Sequence, residues 1–410
     1  MLKRVEKQNL KDLKDACVLA KDAKFPSPFD SKLEFSCSAR GPWNIVHTGM
    51  LIPQAHEVYV CAQSCLRGVV LTAAEMNAID RFSNIIVREN NILEGDTEDL
   101  IVEGIGDILE KLPYTPRAIL VYTSCIHHFI GCDLNLVYKR LREKYPNVEF
   151  TDCYMNPIMR KSGLTPDQLM RRQLYSLLDK QDLDLKSVNI IGNNLKTDDD
   201  SELVKIIREN GFTLREVPRT KTYDEYKEMG KAFLNITYNP AAIEAGRYLE
   251  EKLGQKHLYL PLSYGFDEIE KTLDTLCENL GIEKIDFSSN KQQALDALKK
   301  AKEVIGDTPI EIDYTLTLRP ASLARLLLEN GFNVVSIYED CFAGEEEEDF
   351  KWIQENYPNL KIYATVHVKM RFVNRKRDEK LLALGQKAAY FTGSNNFVNI
   401  IEGGGMYGFS

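Results

Sequence analysis

The sequence predicts an α/β fold of three doubly wound domains built on parallel sheets. The stretch "RAILVYTSC" (117–125) is a continuous apolar run after a proline, which is typical of a strand buried on both faces of a parallel sheet. A helical stretch, a proline-marked stop and another strand follow in "LNLVYKRLREKYPNVEF" (134–150). Because this order of strand, helix and strand recurs twice along the chain, we expect three Rossmann-like units.

The second and third units share a short motif at the end of a helix. "SVNIIGNN" (187–194) leads into a capped helix and a strand, and "IEIDYTLTLRPASLARLLLENGFNVVSIYED" (310–340) repeats that order. Glu-Asn-Gly-Phe occurs in both units, with Gly211 and Gly331 where a glycine that ends a helix belongs. Shared loop chemistry and an internal duplication both explain the repeat, and either one indicates two doubly wound units. A third unit is expected before them, around residues 60–150.

A domain usually has about 150 residues, so a chain of 410 residues is too long for a single compact core. The length therefore predicts several domains. The stretch "RKSGLTPDQLMRRQLYSLLDKQDL" is predicted to be a helical connection between the first two units. The predicted domains are an N-terminal helical arm (1–36), a cysteine-rich α/β domain (37–160), a second α/β domain with the helical connection (161–300) and a third α/β domain (301–410).

Composition excludes several classes of protein. The net charge of −9 argues against a general nucleic-acid surface, which is normally basic. The opening "MLKRVEKQNLKDLKDACVLA" has no apolar core for a signal peptide, and no stretch reaches the ~20 apolar residues that span a bilayer. We therefore expect a cytoplasmic protein that does not bind membranes or nucleic acids. Its nine cysteines should be reduced, and some of them are candidate metal ligands.

Three cysteines occur in settings that suit a ligand thiolate. Ligands bind beyond the carboxyl ends of strands in parallel sheets, and Cys125 falls at such a point, before a predicted helix. Cys37 and Cys65 lie on turns rich in glycine and proline, "CSARGPWNIVHTG" and "CLRGVV", which would let a backbone approach an inorganic cluster. The alternative for all three is a buried structural thiol.

The spacing of these cysteines matches neither a compact ferredoxin run nor the paired CxxC of a zinc ribbon. Three dispersed cysteines cannot complete a four-thiolate site alone. Either Cys61 is a local fourth ligand, or a second subunit supplies one.

Four segments, in order, resemble one known family. They are "TSCIHHFIGCDLNLV", "VNIIGNN" with "SELVKIIRENGF", "SLARLLLENGFNVV" and the C-terminal "GGGMYGFS". From Cys37 to its end the chain is similar to component 1 of nitrogenase and its relatives. Those relatives include the dark-operative protochlorophyllide and chlorophyllide reductases, the nickel-sirohydrochlorin cyclase and the scaffold proteins of cofactor assembly. Relatives continue into another helix after the segment that "MYGFS" resembles.

The resemblance implies an iron–sulfur cluster. Cys37, Cys65 and Cys125 match the three cysteines by which each family subunit holds the bridging cluster, so that 37–160 would be the cluster-binding domain. Many members end a His-Gly-Pro-x-x-Cys segment with the second cysteine, whereas this chain reads "VCAQSC" and has Cys61 in addition. A 4Fe–4S cluster and a larger, P-cluster-like one both remain open, as does a role for Cys61 as an additional ligand.

A second departure concerns the large metal cofactor of nitrogenase. The catalytic subunit anchors it with a cysteine and a histidine, but the matching places here fall near Thr237 and Val398. We therefore do not expect a molybdenum–iron cofactor bound in the usual way. The relatives that reduce tetrapyrroles also lack these anchors and bind an organic substrate in the corresponding cavity.

The resemblance implies an oxidoreductase of an anaerobic electron-transfer system. This subunit would relay electrons from an ATP-dependent iron protein, through an intersubunit cluster, to an organic or small-molecule substrate. It would pair as a homodimer or with a paralogous subunit. No glycine-rich loop ending in Gly-Lys-Ser or Gly-Lys-Thr occurs, so ATP is expected only on the partner, and no nicotinamide site is expected. The alternatives are a non-catalytic iron–sulfur assembly scaffold and a metal-free binding protein.

Three residues are candidates for a catalytic role. His127 follows Cys125 closely and could tune a cluster or donate a proton, although a hydrogen-bonded helix start explains it as well. His47 flanks the apolar turn Met50–Pro53 and could serve as a substrate-side acid or ligand. Arg67 follows Cys65 and could offset the charge of a reduced cluster, with a structural ion pair as the alternative.

Overall fold

The computed structural model describes residues 13, 15–30, 34–39, 41, 43–156, 163–373, 375 and 380–409. Strands and helices alternate through most of this part of the chain, and the strands form three sheets, which confirms the predicted α/β class. The strands are β1 (Cys17–Leu19), β2 (Ala55–Cys61), β3 (Phe82–Ile86), β4 (Ala118–Ser124), β5 (Glu149–Met155), β6 (Asp184–Ile190), β7 (Thr213–Glu216), β8 (Ala232–Thr237), β9 (Lys256–Tyr259), β10 (Ile310–Asp313), β11 (Val334–Tyr338), β12 (Lys361–Tyr363), β13 (Leu382–Leu384) and β14 (Phe397–Val398).

Helices connect the strands of each sheet. Among the described residues no helix is both long and apolar enough to cross a membrane. The helices are α1 (Ile45–Gly49), α2 (Leu66–Glu75), α3 (Glu89–Glu94), α4 (Thr97–Lys111), α5 (Cys125–Ile130), α6 (Leu134–Lys144), α7 (Pro166–Gln173), α8 (Glu202–Glu209), α9 (Tyr223–Lys227), α10 (Ile243–Leu253), α11 (Phe266–Leu280), α12 (Ser288–Ile305), α13 (Pro320–Glu329), α14 (Glu347–Asn356) and α15 (Gln386–Thr392).

The first sheet has the order β3-β2-β4-β5, and its strands run parallel. Every residue of β4 is buried, which confirms the prediction of a strand covered on both faces. On one face, Val58 and Val121 pack in a core with Ile101 of α4 and Leu141 of α6. The chain adds β3 on one side of β2 and then β4 and β5 on the other, so the strand order reverses between β2 and β4.

The second sheet, β7-β6-β8-β9, is also parallel and belongs to the same compact unit as the first. Its strands are joined by buried amides, since Asn189 donates to Asn235 (2.8 Å) and Asn235 donates to Gln255 (2.9 Å). The two sheets share a core, in which Tyr226 donates to the carbonyl of Leu174 just beyond α7. This unit comprises the described residues of 43–196 and 207–260.

The third sheet has the order β1-β12-β11-β10-β13-β14 and forms the core of the other compact unit. Its pairings are parallel except that β1 runs antiparallel to β12 at one edge. The strand order reverses between β10 and β13. This unit comprises the described residues of 1–42, 197–206 and 261–410.

The predicted glycines end helices in both units. Gly211 and Gly331 each have φ of 76°, the left-handed conformation that glycine adopts without strain. The amides of Phe212 and Phe332 then donate back to carbonyls in the last turn, at 3.0 Å, and both rings are buried.

Two segments near the predicted domain limits pack with the third sheet. The described part of the helical arm contains the strand β1, because "CVL" (17–19) pairs with the free edge of β12 and Val18 packs on the core of that sheet. Residues 1–12 of the arm lie outside the described residues. Residues 261–300, assigned to the second domain, group with the third sheet, since Leu298 and Ile305 pack on its core.

Candidate functional site

The strand order of the first sheet reverses between β2 and β4. Val60 pairs with Thr123 in parallel register, so the two strands end side by side and their connections leave in opposite directions. Open parallel sheets bind ligands at this kind of position. Cys65 and Cys125 follow these two strands, at the carboxyl edge of the same sheet.

Cys65 ends a short 3-10 turn, Gln63–Cys65, and occupies the residue that caps the start of α2. The residue is exposed. The helix dipole makes the start of a helix favourable for a negative sulfur. Gly68 in the first turn has open space where a Cβ would lie. The thiol of Cys65 is therefore accessible to a ligand from outside this unit.

Cys125 is the first residue of α5 and is half-buried. Ser124, the last residue of β4, has an extended backbone and is buried. The chain thus turns sharply from strand to helix at the cysteine, which keeps the thiol at the edge of the sheet.

Cys61 lies inside the protein. It is the last residue of β2, is fully buried and packs in the core that also contains Tyr59, Tyr122 and Cys153. Burial, together with the nearby Cys65, raises the pKa of the Cys61 thiol to about 12. These features favour a protonated core thiol over the additional ligand that the sequence left open.

Cys37 belongs to the other compact unit. The amide of Phe35 donates to the carbonyl of Val366 (2.6 Å), and Glu34 forms an isolated antiparallel bridge with His367. Both partners follow the carboxyl end of β12. Cys37 is half-buried and packs against the core that includes Ala388. The third cysteine therefore also lies at the carboxyl edge of a parallel sheet.

His127 is buried at the start of α5, beside Cys125. Its Nδ1 accepts a hydrogen bond from the amide of Ser124 (3.2 Å), so the neutral ring carries its proton on Nε2. That Nε2 is buried without a hydrogen-bond partner among the described residues. Burial lowers the pKa of His127, which keeps the ring neutral at pH 7. His127 lines a cavity of about 270 Å³, together with Cys132, Tyr154 and Asn156.

The remaining histidine and arginine candidates lie in ordinary settings. The Nδ1 of His47 accepts a hydrogen bond from the amide of Asn44 (3.2 Å) at the start of α1. Its ring meets that of Trp43 edge-on, with the centroids 4.7 Å apart. Arg67 is exposed in the first turn of α2. Neither arrangement identifies a catalytic function.

Among the described residues, no group of three or more His, Cys, Asp or Glu side chains is arranged to hold a metal ion. Thr237 matches one of the two places where nitrogenase anchors its large metal cofactor. The Oγ1 of Thr237 lies 2.8 Å from Nε2 of His257. Val398, at the other place, is the last residue of β14.

Comparison with known proteins identifies the family. A family model described as "Nitrogenase component 1 type Oxidoreductase" matches residues 46–394. The chain belongs to this family. As a component 1 type oxidoreductase it has Cys65 and Cys125 inside the matched region, whereas Cys37 precedes it. No curated protein sequence matches the chain.

Solved structures of component 1 have the same fold. The structure titled "Nitrogenase Cp1 at pH 6.5" aligns with a TM-score of 0.67 at 13% identity, over 90% of this chain and 87% of that one. "Nitrogenase Cp1 at pH 5" aligns with a TM-score of 0.61 at 14% identity, over 98% and 93%. At these identities the alignments establish only the fold of this component 1 type oxidoreductase. Its chemistry has to be argued from its own side chains.

The burial of one charged residue at a sheet edge could not be predicted from the sequence. Lys387 is buried in the first turn of α15, at the reversal point of the third sheet. The local sequence "GQKAAY" looks like the start of a surface helix, and a single lysine there carries no motif. Only the fold makes its burial visible.

Proposed function

We propose that this component 1 type oxidoreductase is the reductase subunit of an electron-transfer system. It would receive electrons from a separate, ATP-dependent iron protein and pass them, through an iron–sulfur cluster, to an organic or small-molecule substrate. The observation that supports this proposal best is the position of Cys65 and Cys125 after the two strands between which the first sheet reverses. Family membership over residues 46–394 supports the class of reaction.

The residues present suit an iron–sulfur cluster. Thiolates are soft ligands that select Fe–S clusters or zinc rather than magnesium or calcium. Cys65 and Cys125 follow neighbouring strands of one sheet, and open space lies beside Gly68. We propose Cys37, Cys65 and Cys125 as the ligands, with Cys61 as a core thiol. A cluster bound there supplies single-electron transfer. Further ligands would come from a second copy of this chain or from a paralogous subunit.

The substrate would be reduced without a protein-anchored metal cofactor. Thr237 is buried and bonded to His257, and neither it nor Val398 is a usual ligand for such a cofactor. An organic or small-molecule substrate therefore fits these residues better than a molybdenum–iron cofactor. Of the three catalytic candidates, His127 has the most suggestive geometry, because its buried ring lies beside Cys125.

The test combines anaerobically purified protein with a reduced nitrogenase-type iron protein and ATP, in the absence of oxygen. ATP-dependent reduction of a tetrapyrrole or a small unsaturated compound, lost in Cys65→Ser, supports the enzyme. Transfer of iron and sulfide to an apoprotein without turnover of any substrate would instead favour the assembly scaffold.

A further inference from the structure

The third sheet has a cavity of about 530 Å³ near the amino ends of β10, β11 and β12. Glu311, Ser336 and Lys361 line it, together with residues 356–360, which lead into β12. Small-molecule sites usually have volumes of about 300–1,000 Å³ and a few polar groups among apolar walls. This cavity has such a volume, and its described lining residues all belong to one compact unit.

The register of the sheet places three polar side chains on one face. Glu311 pairs with Ser336, and Ser336 pairs with Lys361, in parallel strands. Because successive side chains of a strand point to opposite faces, residues paired across neighbouring strands share a face. The next residue of each strand packs in the apolar core of the opposite face, which contains Ile312, Ile337 and Ile362. The cavity side therefore carries a carboxyl, a hydroxyl and an ammonium group in a row.

The hydroxyl of Ser336 lacks a hydrogen-bond partner among the described residues. The residue is only 1% exposed. Buried polar groups in folded proteins almost always have a partner, since an unsatisfied group costs free energy. A ligand in the cavity that Ser336 lines would supply one, and a hydroxyl can both donate to it and accept from it.

Glu311 is also buried, beside Ser336 in the neighbouring strand. Its Oε2 accepts a hydrogen bond from the hydroxyl of Tyr338 (2.7 Å). The ring of Tyr338 stacks between those of Tyr363 and Phe391, which holds the hydroxyl and the carboxyl group in place. A carboxylate has about four acceptor positions, and an ammonium ion is the donor that forms the stronger, charge-assisted bonds with it.

Lys361 gives the cavity a second charge. It is exposed, whereas Glu311 is buried, so the negative charge lies deeper in the cavity than the positive one. Neighbouring strands lie about 4.8 Å apart, and the backbones of these two residues, two strands apart, are therefore separated by about 10 Å. The buried side chains of Val334 and Leu360 add apolar surface. The matching ligand has opposite charges at the two ends of a short apolar chain.

We propose that this cavity binds a small zwitterion of that kind, an ω-amino acid. The ammonium group of the ligand is bound by Glu311 and Ser336, and its carboxylate by Lys361. The cavity lies at the amino ends of the strands, whereas Cys37 lies at the carboxyl edge of the same sheet. The inference therefore goes beyond the proposed function and does not require a cluster.

The test is isothermal titration calorimetry of the full-length protein with three probes of one carbon skeleton. They are 5-aminovalerate, which is a zwitterion, pentylamine, which is a cation, and valerate, which is an anion. We expect 5-aminovalerate to bind most tightly, pentylamine more weakly and valerate least. This order follows from a buried carboxylate that selects the ammonium group and an exposed lysine that adds a smaller contribution.

Three variants assign the contacts. Glu311→Gln keeps the shape of the side chain and should weaken 5-aminovalerate at least about tenfold, as expected for the loss of a charge-assisted hydrogen bond. Ser336→Ala should weaken both amines. Lys361→Met should weaken 5-aminovalerate about two- to fivefold and leave pentylamine unchanged. Lys351→Met is the matched control, because Lys351 is an exposed lysine of the same unit that pairs with Glu347 (2.7 Å) outside the cavity.

The outcomes are decisive even if one variant does not fold, which circular dichroism shows. The inference is overturned if wild-type protein does not bind 5-aminovalerate at millimolar concentration, or binds valerate equally well. It is also overturned if folded Glu311→Gln protein keeps the wild-type affinity. Iron-free protein should bind the probe as iron-containing protein does, so failure of the proposed function leaves this test intact.

Discussion

The rings of Tyr59 and Tyr122 stack face to face across β2 and β4, with centroids 4.2 Å apart and planes 6° from parallel. They cover the buried carboxyl group of Glu57, which accepts a hydrogen bond from the hydroxyl of Tyr59 (3.1 Å). Burial raises the pKa of Glu57 well above its usual value. The stack ties together the two strands whose ends carry Cys65 and Cys125.

Gly49→Ala should destabilise this part of the protein. Gly49 of α1 lies against Glu57 and Tyr122, and the Cβ of an alanine would collide with their oxygen atoms. Overpacking of a core costs about 1–3 kcal/mol, and we expect a decrease of that size in the free energy of unfolding, measured in urea.

Gly68→Ala is the matched control for this substitution. Gly68 is also helical, but a Cβ there meets open space, so alanine should be neutral or stabilise the protein by up to about 1 kcal/mol. A Gly49→Ala protein as stable as the wild type would contradict the packing described around Glu57.

Cys65→Ser and Cys125→Ser should each lose most of the bound iron. Serine keeps the size of the side chain but is a poor ligand for an iron–sulfur cluster. Cys341→Ser is the control for the exposed Cys65, and Cys132→Ser for the half-buried Cys125. Iron analysis of the four proteins should separate the first pair from the second, and equal iron in all four would exclude both thiols as ligands.

Cys61→Ala should affect stability and leave iron content unchanged. The side chain is fully buried beside Tyr59 and Tyr122, so its loss leaves a small cavity that costs about 1 kcal/mol. Thermal unfolding and iron analysis of the same sample test both parts. A marked loss of iron would restore Cys61 as a ligand.

His56 should make stability depend on pH. It is buried between Tyr114 and Ser83, at 2.9 and 2.8 Å, and burial followed by the charge of Arg81 lowers its pKa to about 4. The unfolded chain, with a pKa near 6.5, binds the proton more readily. The contribution of His56 is therefore complete above pH 6.5 and is lost as the pH falls towards 4.

Urea unfolding at pH 7 and pH 5 measures this effect. Between these values the wild type should lose about 2 kcal/mol more stability than His56→Gln, which cannot titrate. Identical losses in the two proteins would show that His56 is exposed to solvent in the folded state.

The sequence predicts elements whose local pattern is strong. The continuous apolar run of β4 identified a strand buried on both faces, and the phenylalanine after Gly211 and Gly331 marked two helix ends. Weak patterns failed, because "CVL" (17–19) has no strand signal of its own and becomes β1 only beside the free edge of β12. Pairing with a distant strand is a tertiary effect that local propensity does not contain.

The candidate site was predictable only in part for the same reason. Cys61 and Cys65 are four residues apart, but Cys61 is the buried last residue of β2, whereas Cys65 ends the exposed 3-10 turn that follows the strand. The burial of Lys387 depends on its contact with Tyr314, which lies far away in the sequence. Such contacts follow from the order of strands in the sheet.

The central claim is that the thiols at these sheet edges hold iron. Iron and acid-labile sulfide analysis of anaerobically purified protein tests it most directly. A 4Fe–4S cluster shared by two chains predicts about two iron atoms per chain, with a matching amount of sulfide, and a larger cluster predicts more. A folded, colourless preparation with less than about one iron per chain would contradict the account.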